Sequence, residues 1–230
     1  MTITFSETAK QVRRRLYEEY LTVGRCSNVA GLANATSLRH DDVIAALAEL
    51  EQGLMVMLHP GVPGLVLKCP PWTNLPTPHT ASIAGVPASV HLGCALEALN
   101  IAHCYPDAEV VVTSACPHCG EPISLTLRND AVLDASSPDV VVHLGMSPAT
   151  WDADWLVSCA NNNFFPSVDH VAAWEHSHPE LTGATLTFDQ VQTLAPYKHR
   201  LDLERGGDAP PARFLRVLMD LGVAPADWSS

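Results

Sequence analysis

No apolar run in this chain reaches the roughly 18 residues that a membrane-spanning helix requires. The opening stretch, MTITFSETAKQVRRRLYEEY, has no apolar h-region and carries an acid early. It does not read as a signal peptide, and a cytoplasmic location is expected. Positive charge is scarce: 13 Lys and Arg stand against 25 Asp and Glu, for a net charge of −12. The deficit is local. Residues 1–80 are balanced, with seven of each sign, and residues 81–230 carry six basic against eighteen acidic side chains. An acidic body repels phosphate backbones, which argues against a nucleic-acid partner. It suits small or cationic ligands, although solubility alone is the plainer account. An internal repeat is also missing, as is the even cysteine count of a disulfide framework. The seven thiols are Cys26, Cys69, Cys94, Cys104, Cys116, Cys119 and Cys159. Without a secretory segment, their odd number shifts weight toward thiol chemistry or metal binding.

What is present allows a real core. Of 230 residues, 47% are apolar and 17% charged, enough for one large domain or two modest ones. SETAKQVRRRLYEEYLTVG predicts a helix with Ser6 as N-cap, Gly24 as stop, and Val12, Leu16 and Tyr20 on one side. A short helix over SNVAGLANATS and a third over RHDDVIAALAELEQG follow. Two apolar bursts, LMVML and GLVLK, flank HPGVPG as a hairpin. Three helices and a hairpin outline a winged helix. The segment Arg39-His40-Asp41-Asp42, where a recognition helix would begin, and the absence of net positive charge make it a packing module rather than a DNA reader.

Residues 70–88 hold five prolines and little periodicity, and read as a linker or an extended cover strand. CALEALNIAHC predicts a helix. AEVVVTSAC and PISLTLRND predict two strands around the turn CPHCGE, and DVVVHLGM predicts another strand. ATWDADWLVSCANNNFFPS predicts a helix running into a loop or strand. VDHVAAWEHSH is an amphipathic helix, ATLTFDQVQTL a strand with a short helix, and PPARFLRVLMDLG a last helix. Strands and helices that do not alternate argue for an α+β fold.

Three stretches carry the chemistry-bearing residues. CPHCG, a Cys-x-x-Cys that closes on Gly after a strand, has the shape of a zinc knuckle. No second Cys-x-x-Cys exists to complete four ligands, so His91, Cys94, His103, Cys104 and His118 are the candidates, with a reduced dithiol or a plain turn as the alternatives. Cys94 is followed three residues later by Glu97, which puts both side chains on one face of a helix. Cys94 is either a small buried apolar residue or a thiolate favoured by a helix N-terminus. After Cys159 come three asparagines and two phenylalanines, either a polar loop or the lining of a pocket, because buried asparagines need partners.

Taken together, Cys94-Ala95-Leu96-Glu97, VVVTSACPHCGEPISLTL and Cys159-Ala160-Asn161-Asn162-Asn163-Phe164-Phe165-Pro166-Ser167 resemble the alkylmercury (organomercurial) lyase family. VAAWEHSHPELTGATLTFDQVQTL is similar to the family's Trp-containing helix and following strand. The resemblance covers most of the chain and is strongest over about 90–195. It implies a winged-helix-like N-terminal domain over residues 1–80. It also implies a catalytic core over 81–230, built of antiparallel sheets and helices.

The family's reaction is protonolysis of a carbon–mercury bond, a part of mercury resistance. The resemblance assigns Cys94 and Cys159 as the metal-binding and catalytic thiols, Glu97 as the proton donor in the place of the family's Asp, and Cys116 as a structural cysteine. It implies a small organometallic substrate and no required cofactor. Mercuric ion would be held as product, then passed to small thiols or a mercuric reductase. Cys116 and Cys119 remain a candidate structural zinc site. Three departures stand out. Glu97 is one methylene longer than Asp, and about 1 Å of displacement can cost on the order of 10²-fold in rate. The stretch after Cys159 is asparagine where the family has Cys and His. Cys119 adds a Cys-x-x-Cys that the typical enzyme lacks. These leave two further readings: a non-catalytic soft-metal or zinc-binding scavenger or sensor, and a lyase-like enzyme acting on another carbon–heteroatom bond.

Overall fold

The computed structural model describes residues 5–129, 131–151, 154–191, 211–225 and 228, with only the backbone given for 211–214 and 216. The N-terminal helices follow from their caps. In α1 (Glu7–Val23), the Ser6 side chain accepts from the Ala9 amide. Gly24, at φ 75°, closes the helix by donating to the Tyr20 carbonyl, a left-handed conformation that glycine adopts without cost. Asn28 caps α2 (Val29–Thr36), and α3 (His40–Gln52) ends at Gly53. Val12, Leu16 and Tyr20 are buried along α1, and Val43, Leu47 and Leu50 along α3.

The hairpin β1 (Met57–Leu58) and β2 (Val66–Cys69) follows, antiparallel as its turn residues require. The strands do not stop there. Residues 70–88 are no free linker: they contain β3 (Trp72–Thr73) and all of β4 (Thr80–Ile83). With β5 (Val90–Leu92), β6 (Val110–Ala115), β7 (Pro122–Arg128) and β8 (Ala131–Ala135), they build one sheet in the order β1-β2-β3-β5-β4-β6-β7-β8. This sheet crosses position 80 without interruption. A second sheet, ordered β10-β9-β11, holds β9 (Val141–Leu144), β10 (Asn162–Phe165) and β11 (Ala184–Leu186), all antiparallel.

Four further α-helices have both ends within the described residues: α4 (Ala95–Asn100), α5 (Trp155–Ala160), α6 (Val168–Ser177) and α7 (Pro211–Asp220). A helical turn begins at 188, and the remainder of that expected short helix, 192–194, lies outside the described residues. The fold class is α+β, as the non-alternating pattern predicts.

One continuous core joins the N-terminal helices to the large sheet. Trp72 is fully buried at its centre. Tyr20 stacks on it at 5.0 Å, while Tyr17 and Tyr105 meet it edge-on at 5.0 and 6.5 Å. Such ring pairs each add about 0.5–1.5 kcal/mol beyond area burial. Tyr17 donates from its hydroxyl to the Pro70 carbonyl and Tyr105 to the Tyr20 carbonyl, so the helices are tied to the sheet by bonds as well as packing. This packing fixes where β2 and β5 deliver their side chains.

Candidate active site

Cys94 sits where β5 ends and α4 begins. Its backbone is extended, and its carbonyl accepts the first helical bond from Ala98, so Cys94 is the N-cap and Glu97 the third residue of the helix. An N-cap side chain and the third helical side chain face each other across the first turn, which is the geometry of a capping box. Here the pair is a thiol and a carboxyl group. Cys159 comes from the last turn of α5, a helix capped by Asp154, which accepts from the Val157 amide. Tertiary packing closes the distance: Cys94 Sγ, Cys159 Sγ and a Glu97 carboxylate oxygen all lie within 4.8 Å of one another. All three residues are buried.

A fourth member joins these three from a strand whose place in the site no local spacing reveals. Lys68, from β2, is 1% exposed; its Nζ lies 2.7 Å from Cys159 Sγ and 3.0 Å from Glu97 Oε2. The contact with Oε2 is an ion pair outside hydrogen-bonding alignment, so that oxygen is buried without a directional donor. The ammonium also faces the Trp155 ring at 5.1 Å from its centroid. Burial works against the charge on Lys68, but the charge of Glu97, with the two sulfurs and the hydrogen bond to Cys159 behind it, outweighs burial and carries the pKa above the ordinary lysine value. Lysine is almost never fully buried unless paired, and one inside the apolar run GLVLKC was a signal within reach.

Cys159 shares a hydrogen bond with Cys94. That bond first, then burial and the negative charges of Cys94 and Glu97, push its thiol well above the ordinary range, with Lys68 pulling the other way. Two thiols in such contact hold protons that a thiophilic metal can displace. Gly93 leaves room for this crowding. A Cβ there would run into Glu97 Oε2 and Lys68 Nζ.

The asparagine stretch is neither loop nor decoration. Asn162 and Asn163 lie in β10 and are buried, with Asn163 donating from Nδ2 to the Ala160 carbonyl. Asn163 also hydrogen-bonds His79, whose Nδ1 is 3.0 Å from Ser114 Oγ. Burial dominates at His79 and lowers its pKa to about 4, so the ring is neutral near pH 7. Phe164 meets that ring edge-on. His79 went unnoticed because the proline-rich stretch around it reads as a linker.

Cys116 and Cys119 form a separate group, in the turn from β6 to β7. Cys94, His91, His103 and Cys104 do not join them in any three-donor cluster among the described residues. The sheet order explains this. Strand β4 lies between β5 and β6, so side chains around β5 are held away from the turn that follows β6.

Residues 72–197, more than half of the chain, match the family model described as "MerB: Alkylmercury lyase". The fold is similar to that in a solved structure titled "Crystal structure of the mercury-bound form of MerB2". The two share 22% identity over 84% of this chain and 89% of that one, with a TM-score of 0.65. No curated protein matches.

Proposed function

This chain belongs to the alkylmercury lyase family, and we propose that it cleaves carbon–mercury bonds by protonolysis, with Cys94 and Cys159 as the metal-binding thiols and Glu97 as the proton carrier. The observation that carries this reading is the convergence of two thiols and one carboxyl group within 4.8 Å in a buried site. Mercury is soft and prefers sulfur, by the same rule that gives thiolates to soft metals. An organomercurial RHgX that enters exchanges X for one sulfur. The second sulfur then binds, and its proton passes to Glu97. Electron density from two sulfurs weakens the bond from mercury to carbon. Glu97 returns the proton to carbon as a general acid. The bond's electron pair leaves with carbon, and mercury stays divalent. RHgX and two thiols thus yield RH, HX and a mercuric bis-thiolate.

Lys68 fits this chemistry as an electrostatic partner. A mercuric ion on two thiolates is neutral, and Lys68 with Glu97 is neutral, so the loaded site carries no uncompensated charge. In a buried site that balance decides whether an ion is tolerated.

The same ion pair supports a second reading. Glu97 must leave Lys68 before it can serve carbon, and a site that keeps the pair would hold mercury without breaking bonds, as a scavenger. One experiment separates the two. Purified protein is mixed with phenylmercury and excess thiol, and benzene is followed by gas chromatography. Benzene in step with bound mercuric ion supports the lyase. Stoichiometric phenylmercury bound with no benzene released would end that reading in favour of the scavenger.

A further inference from the structure

The turn from β6 to β7 has an architecture that the lyase chemistry does not use. The Cys116 amide donates to the Glu121 carbonyl at 2.9 Å, and the Gly120 amide donates to the Cys116 carbonyl at 2.8 Å. Gly120 is left-handed, at φ 77°. Inside this loop the backbone amides of His118 and Cys119 both donate to the Cys116 sulfur, and the Cys119 thiol is in hydrogen-bond contact with it. Two amides aimed at one sulfur make a small anion nest. A nest built around a thiol has most use when that sulfur carries negative charge as a metal ligand.

A second element reaches the same place. Cys119 Sγ, a Glu121 carboxylate oxygen and a ring nitrogen of His170 lie within 4.8 Å of one another. His170 comes from the first turn of α6. Its Nδ1 is 3.2 Å from Ser167 Oγ, which leaves Nε2 facing the cluster, 3.7 Å from Glu121 Oε2. Metal-bound histidines are oriented through their other ring nitrogen in this way.

From this convergence we infer that Cys116, Cys119, Glu121 and His170 form a structural zinc site that clamps the β6–β7 turn to the start of α6. Two sulfurs, one imidazole and one carboxylate make a tetrahedral donor set for zinc. Zinc bonds of about 2.0–2.3 Å put neighbouring donors roughly 3.3–3.8 Å apart, so the Cys119, Glu121 and His170 donors close by about 1 Å, and Cys116, which lies beside Cys119 but outside that group of three, turns in as the fourth. Cys119 and Glu121 are exposed and free to rotate that far. The His118 ring, 6.5 Å from that of His170, borders the site. The clamp has a structural consequence, because α6 follows β10 directly and β10 leads away from Cys159. Fixing the start of α6 fixes the chain behind a metal-binding thiol. The zinc site stands independently of the lyase reading.

The test uses the full chain, purified reduced. Elemental analysis should find one zinc per chain. Replacement by cobalt should give tetrahedral visible bands with thiolate charge transfer in the near ultraviolet. Cys119→Ser and His170→Ala should each lose the zinc, whereas Cys94→Ser/Cys159→Ser should keep it. A chelator should lower the melting temperature of the wild type and leave that of His170→Ala unchanged. The inference is overturned if the reduced protein takes up neither zinc nor cobalt, if the metal leaves with Cys94→Ser/Cys159→Ser instead, or if chelation does not move the wild-type melting temperature.

Discussion

Lys68 donates to the Cys159 sulfur at 2.7 Å across 91 positions of sequence. With Glu97 at 3.0 Å from the same nitrogen, it joins the hairpin after the N-terminal helices to both halves of the thiol site. A buried cation in contact with both a sulfur and a carboxylate makes stability and chemistry interdependent here.

Removing the cation should therefore be costly. Lys68→Met leaves Glu97 charged and unpaired, a loss expected at about 3–5 kcal/mol. Adding Glu97→Gln should recover part of it, so the double variant should be more stable than the sum of the single changes implies. Urea unfolding of the four proteins measures this. A Lys68→Met loss of about 0.5 kcal/mol or less, as for an ordinary surface change, would show that the pair has little weight.

The thiols and the acid should separate by step. Cys94→Ser and Cys159→Ser should each abolish benzene release from phenylmercury and lose tight mercuric binding. Glu97→Gln should still bind mercuric ion, counted by elemental analysis, while releasing no benzene. Full activity in Glu97→Gln would remove the acid from the mechanism.

Gly93→Ala tests the crowding. The added Cβ meets the ends of two side chains rather than backbone, so Glu97 and Lys68 have to move aside. A shift near 1 Å predicts roughly a 10²-fold loss of benzene release, with a smaller proportional effect on melting temperature. Unchanged turnover would mean that the position of Glu97 tolerates that shift.

His79 sets an acid limit on stability. Its folded pKa, about 4, lies below the ordinary histidine value of 6.5. Between those values the unfolded chain binds the proton and the folded chain does not, so stability is full above pH 6.5 and falls as pH drops toward 4. This one group should cost about 2 kcal/mol between pH 7 and pH 5. His79→Gln should flatten that part of the profile in urea titrations at the two pH values. An equal slope in wild type and variant would show that the ring does not titrate this way.

Much of this protein is written locally. The caps Ser6, Gly24 and Asn28 and the spacing of Val12, Leu16 and Tyr20 determine the first helices, because these signals act within a few residues. The turns at HPGVPG and CPHCGE are equally local. Cys94 and Glu97 meet across one helical turn, so their pairing followed from three-residue spacing alone. The participation of Cys159 came through family resemblance, since no local rule connects residues 65 positions apart.

What the tertiary structure decided is non-local. Lys68 reaches the site because Trp72 and the tyrosines of α1 lock the hairpin into the large sheet. His79 and Asn163 meet only when β10 packs against the large sheet at β6, and a linker-like composition concealed the former. Glu121 and His170 join Cys119 because the start of α6 lies against the β6–β7 turn, while β4 keeps the nearer-in-sequence candidates away. Spacing along a chain determines which side chains share a helix turn or a hairpin. Which buried charges and donors share a cavity depends on sheet order and core packing, and those emerge only when the whole core closes.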